Sequence, residues 1–130
     1  MPHLPLTTLV AIFALLVYVG LSFTVGRARV RHGVVAPSTE GPPEFMRAMR
    51  VQMNTLEQLI VFLPALWMFA AFWGDRPAAL IGIFWPLARL HYARAYLTAP
   101  ESRGPGFIVA LLASLVLLLG TAIRAVERLI

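Results

Sequence analysis

The stretch "LPLTTLVAIFALLVYVGLSFTV", residues 4–25, carries no charged side chain. As a helix rising about 1.5 Å per residue it reaches roughly 33 Å, enough to cross a hydrocarbon core of about 30 Å. It therefore reads as a membrane-spanning helix. A cleaved signal peptide is the competing reading, but the preceding "MPHLP" lacks a positive n-region and the apolar run outlasts a usual h-region. The whole chain has the same character: of 130 residues, 59% are hydrophobic and only 13% charged, a balance foreign to a soluble domain of this size. The class expected is an all-α integral membrane protein.

Working outward, "GRARVRHGVVAPSTEGPP" at 26–43 reads as the longest loop, since its arginines, glycines and prolines suit neither hydrocarbon nor a continued helix. Pro42 and Pro43 suit a helix start, and Glu44 in the next turn complements the positive end of the helix dipole. A second helix is expected over 43–73, longer than the membrane requires. "GDRP" at 74–77 is a tight turn, making helices two and three antiparallel neighbours. Helix three is placed at 77–97 with a kink at Pro86, "TAPESRGPG" forms the next break, and Pro105 opens a fourth helix over 105–127. The chain is thus one domain, residues 1–130, a four-helix bundle with helices at about 4–26, 43–73, 77–97 and 105–127.

All eleven basic residues are arginine, and the net charge is +5. No basic patch interleaves with aromatics on a polar surface, so nucleic acid is not the expected partner. Arginines concentrate towards the first and third loops, which the positive-inside rule places in the cytoplasm. Absent lysine and compact termini point to a bacterial inner membrane. With no cysteine, disulfides, thiolate metal sites and a cysteine nucleophile are excluded. His3, His32 and His91 have no suitably spaced second ligand, so no metal is expected. Trp67, Trp73 and Trp85 read as packing and interface residues, and Ala110, Ala113 and Ser114 as points of close helix approach.

At 100° per residue, Arg47, Arg50, Asn54 and Glu57 fall at about 0°, 300°, 340° and 280°, on one face of helix two. Lipid cannot satisfy a guanidinium, an amide and a carboxylate, so this face must meet protein, water or a polar ligand. Helix three offers a matching row of Arg89, Tyr92 and Tyr96, with Arg103 just beyond. Together they suit a small anion that also carries an ammonium: arginines hold carboxylates bidentately, and Glu57 holds the cation. The same spacing also permits a purely structural arrangement, with Arg50 and Glu57 paired across two turns and Asn54 between them.

"GPPEFMRAMRVQMNTLEQLIVFLPALW" followed by "LARLHYARAYLTAPESR" resembles the MAPEG family, the membrane-associated proteins in eicosanoid and glutathione metabolism, over about residues 26–123. The likeness lies nearest the leukotriene C synthase branch and the small bacterial members. It implies a homotrimer with glutathione, as co-substrate, bound between subunits near the cytoplasmic interface. Arg50, Asn54, Glu57, Tyr92 and Tyr96 would line that site from one subunit, and Arg29 and Gln52 would reach in from the neighbour. Arg103 aligns with the arginine that stabilises the glutathione thiolate, which makes it the catalytic residue. Gln58 departs from the pattern, standing where the branch has a tyrosine, and "RGPG" gives Arg103 an unusual context. Arg47 is left for packing or for lipid phosphate. The implied activity is a glutathione transferase, with possible peroxidase action, for hydrophobic electrophiles or hydroperoxides dissolved in the bilayer. The alternative is a non-catalytic lipid-binding or scaffold member of the family. A four-helix multidrug transporter ranks below both, because the first helix lacks the acidic residue such transporters need.

Overall fold

The computed structural model describes residues 3–130, all in helices, turns and connecting segments. The first helix, α1, runs Pro5–His32. It does not end near residue 26 as expected but carries Arg27, Arg29 and Arg31 on helical backbone. A single glycine such as Gly26 costs a helix only about 1 kcal/mol. Cations in the final turn complement the negative end of the helix dipole. The stop comes instead at Gly33, whose left-handed φ of 66° lets its N–H cap the Arg29 carbonyl.

The second helix, α2, spans Pro43–Trp73. At about 1.5 Å per residue both long helices exceed a bilayer core, so the arginine-bearing end of α1 and the first turns of α2 stand above it together. The third limb differs from a single kinked helix over 77–97. It consists of α3, Asp75–Gly82, and α4, Phe84–Thr98, joined through Ile83. Pro86 has no N–H for the Gly82 carbonyl and its ring crowds that turn, which is why the helix breaks here. Ile83 nevertheless keeps right-handed helical angles, so the limb bends without reversing. A short 3₁₀ turn, Pro100–Arg103, leads into α5, Gly104–Glu127.

Three of these helices, α1, α2 and the run ending at Glu127, are long and apolar enough to cross a membrane. Their outward faces depart from the habit of soluble proteins, and small residues mark the closest helix contacts. Ala14, Ala65, Ala78 and Ala110 are wholly buried, while Leu9, Leu16, Phe23, Ile60 and Leu119 face outward. Lipid tails are as apolar as leucine, so burying bulk gains little; small residues let backbones approach closely. Larger side chains fill the interior between these close approaches: Phe45, Leu66 and Leu117 are wholly buried, and Phe62 of α2 stacks on Trp85 of α4 with ring centroids 4.6 Å apart.

Two long-range contacts fix the helices against one another. The N–H groups of Leu6 and Thr7, unpaired by position at the start of α1, donate to the Asp75 carboxylate at 3.0 and 2.7 Å. Gly106 lets α5 approach α4: a Cβ there would lie 2.8 Å from both the Ala88 carbonyl oxygen and the Tyr92 amide nitrogen. Phe107 is thereby held beside Tyr92.

Candidate functional site

The polar face of α2 and the arginine row of α4 meet through one side chain. Arg89 is completely buried, and its Nη2 donates to Asn54 Oδ1 at 3.1 Å and to Thr55 Oγ1 at 2.7 Å. The guanidinium carbon lies 3.9 Å from the centre of the Tyr92 ring. A charge this deep needs every available partner, and the ring's negative face supplies one that needs no hydrogen-bond acceptor. Arg89 Nε and Nη1 still lack an acceptor.

From Arg89 the cluster extends along α4 towards the third loop. Tyr92 and Tyr96 are both buried, their ring centroids 5.7 Å apart, and Tyr92 meets Phe107 at 6.4 Å. Arg103 follows, exposed, with its guanidinium carbon 5.3 Å from the Tyr96 ring centre. The 3₁₀ turn holds it further, because Arg103 Nη1 donates to the Pro100 carbonyl at 2.8 Å. The proline context of this arginine thus acts as a local tether, leaving Nε and Nη2 to project.

On the other side of Asn54 lies a cavity of about 240 Å³ between α2 and α5, walled by Asn54, Glu57, Gln58, Val61, Phe107 and Ser114. Glu57 is exposed at its rim. Ser114 brings a buried hydroxyl without a partner, an additional polar group where small size alone was expected to matter. Arg50 projects from the surface of α2 one turn before Asn54. Among the described residues it forms no pair with Glu57, so the purely structural pairing of those two side chains is not what the fold adopts. Asn54 serves Arg89 instead.

Asn54, Tyr92, Tyr96 and Arg103 thus belong to one chain of contacts, with Glu57 across the Asn54 cavity. Arg29 and Gln52 do not join it within the protomer. Gln52 donates to Ser22 Oγ of α1 at 3.0 Å. Arg29 donates to the Ser38 carbonyl at 2.7 Å and lies over the Phe45 ring at 5.1 Å. Both therefore sit on the α1 side of α2. Arg47 also turns that way, lining a separate cleft with Arg27 and Arg31.

The sequence set Arg89 in the anion-binding row, whereas the fold turns it inward onto Asn54 and onto Thr55, which spacing did not single out. The available signal was Arg89 itself: an arginine in mid-helix among apolar neighbours demands a buried acceptor. Thr55, next to Asn54 on the chain, offers that acceptor.

Among known proteins, the model of the MAPEG family matches residues 7–123. An uncharacterised protein of Synechocystis sp. is 42% identical over 93% of this chain and 88% of its own length. Microsomal glutathione S-transferase 2 of Mus musculus is 39% identical over 69% of this chain and 61% of its own length. Leukotriene C4 synthase of Rattus norvegicus is 37% identical over 72% of this chain and 63% of its own length. The chain spans less than two thirds of the length of these two mammalian relatives.

Proposed function

The chain belongs to the MAPEG family, and on that premise we propose that it is a membrane-bound glutathione transferase conjugating glutathione to hydrophobic electrophiles, working as a homotrimer. It is an integral membrane protein of a family whose similar members bear glutathione transferase names, and glutathione is the natural co-substrate to test first. The observation that carries the reading is the unbroken series from Asn54 through Arg89, Tyr92 and Tyr96 to Arg103, with a polar-rimmed cavity at its Asn54 end and a cation with free donors at the other.

Each group has work that suits its chemistry. Glu57 takes the ammonium of glutathione, and Arg50 takes a carboxylate in bidentate fashion. Asn54 and the two phenols supply neutral hydrogen bonds. Arg29 and Gln52 of the neighbouring subunit complete the grip, in keeping with their position on the opposite side of α2. Arg103 stabilises the thiolate, because a fixed positive charge beside sulfur favours its ionised form. The thiol proton leaves to solvent. The sulfur lone pair then forms a carbon–sulfur bond to an electrophile arriving laterally from the bilayer, whose leaving group or strained oxygen accepts the displaced electron pair. Loops one and three face the cytoplasm of a bacterial inner membrane in this reading, giving glutathione access from its soluble pool.

The test is titration of the purified protein with glutathione, ultraviolet detection of thiolate, and turnover with several electrophiles. Arg103→Ala is expected to keep binding within a few-fold while lowering turnover by about 10²-fold or more, the scale of losing an electrostatic stabiliser of the reacting charge. Glu57→Ala is expected to weaken binding. Equal loss of binding in both variants would sink the separate roles, and absence of binding and thiolate in the parent would leave the scaffold reading.

A further inference from the structure

A second arginine cluster stands apart from the series just described. A cleft of about 510 Å³ lies between the end of α1 and the start of α2, walled by Arg27, Arg31, His32, Glu44 and Arg47 among others. Its one carboxylate is already engaged, Glu44 Oε2 lying 3.3 Å from His32 Nε2. Among the described residues, no ion pair reaches Arg27, Arg31 or Arg47. Three guanidiniums around one cleft repel each other unless an anion sits between them. Beside it, and sharing Arg27 and Arg31, runs an apolar groove of about 420 Å³ along α1 formed with Phe23, Gly26 and Val30.

Depth decides what kind of anion belongs there. Arg27 lies about 32 Å along the helix from Leu6, so with the start of α1 at one interface the cleft stands at the opposite headgroup level, and Phe23 points the groove back into hydrocarbon. We propose that this cleft and groove form a binding site for an anionic phospholipid, its phosphate held by Arg27, Arg31 and Arg47 and an acyl chain running from Gly26 down past Phe23. Basic pockets between membrane helices suit anionic headgroups, each arginine near such a charge being worth about fivefold in affinity. None of the residues assigned to glutathione lines this cleft, and the assignment stands whether or not the chain is a transferase.

The test is native mass spectrometry of the full-length protein released from detergent, with phosphatidylglycerol and phosphatidylcholine of identical acyl chains added at equal concentration. Phosphatidylglycerol is expected to be retained preferentially. The triple variant Arg27→Gln, Arg31→Gln, Arg47→Gln should lose that retention on the order of a hundredfold, whereas Arg124→Gln with Arg128→Gln at the other end of the bundle should not. The corresponding triple lysine variant keeps the charge and should keep most of the preference, which separates loss of the anion from loss of the fold. Gly26→Leu places bulk in the groove without meeting any atom within 4 Å at its Cβ. It should therefore weaken phospholipid retention and leave inorganic phosphate binding unchanged. Equal retention of both lipids, indifference to the triple glutamine variant, or inorganic phosphate binding as tightly as phospholipid with no effect of Gly26→Leu would each overturn the assignment.

Discussion

Arg89 shows how much one side chain organises. Burying a guanidinium in a helical bundle is costly unless its donors are met, and Asn54 and Thr55 are the hydrogen-bond acceptors the fold provides. Asn54→Ala is expected to lower stability by about 1–2 kcal/mol and to weaken glutathione binding, whereas Asn54→Asp, which keeps an acceptor facing the cation, should retain stability. Melting midpoints in detergent check the first part and titration the second; an unchanged midpoint for Asn54→Ala would remove Arg89 as the organiser. The polar face of α2 was legible because its spacing is fixed by helical geometry. What that spacing could not give was the choice of partner: Asn54 pairs with a residue 35 positions away, and only the packing of α2 against α4 selects Arg89 over Arg50 or Glu57.

At the scale of the elements, the places where the sequence misled are the places where two tendencies compete. An arginine-rich run with two glycines reads as loop, yet in α1 it is helix as far as the glycine that adopts positive φ. The difference lies in Gly26, which costs the helix little, and Gly33, which caps it. Pro86 announced a disturbance, but its consequence falls at Ile83 because the missing hydrogen bond belongs to the turn before it. The approach of α5 to α4 at Gly106 left no trace in periodicity. Gly106→Ala should force those backbones apart, costing about 1–3 kcal/mol and separating Tyr92 from Phe107, as read by melting and by tyrosine fluorescence. Asp75 is a further element-level device. Partial burial pushes its carboxyl up, but the amides of Thr7 and Leu6 outweigh this and hold it below the ordinary range. A depressed carboxyl stabilises the fold above its unfolded value of about 4 and loses that contribution as pH falls through the lower folded value. The parent protein should therefore lose melting temperature on acidification through that window, and Asp75→Asn, lower at neutral pH, should lose less. Parallel curves for the two would show that the carboxylate does not hold α1.

The whole molecule raises the question of assembly, because Arg29 and Gln52 sit across α2 from the other glutathione residues. In the trimer proposed here, a Gln52→Ala subunit beside a Glu57→Ala subunit can rebuild one intact site. Co-expressing the two variants in equal amounts should restore about one quarter of the sites, as random pairing around a closed ring requires. Recovery of glutathione binding measures it; no recovery would place the whole site within one protomer. The class of fold was readable from a single apolar run and the overall balance of charge, since both are set by the thickness and dryness of the bilayer. Relations between subunits leave no such mark on one chain. The greasy outward face, set with Leu9, Leu16, Phe23, Ile60 and Leu119, has one more outcome. A complete substitution scan should there look like the photographic negative of a water-soluble enzyme's: those outward positions accept almost any greasy residue and reject charge, while the wholly buried alanines at the helix contacts reject every added carbon.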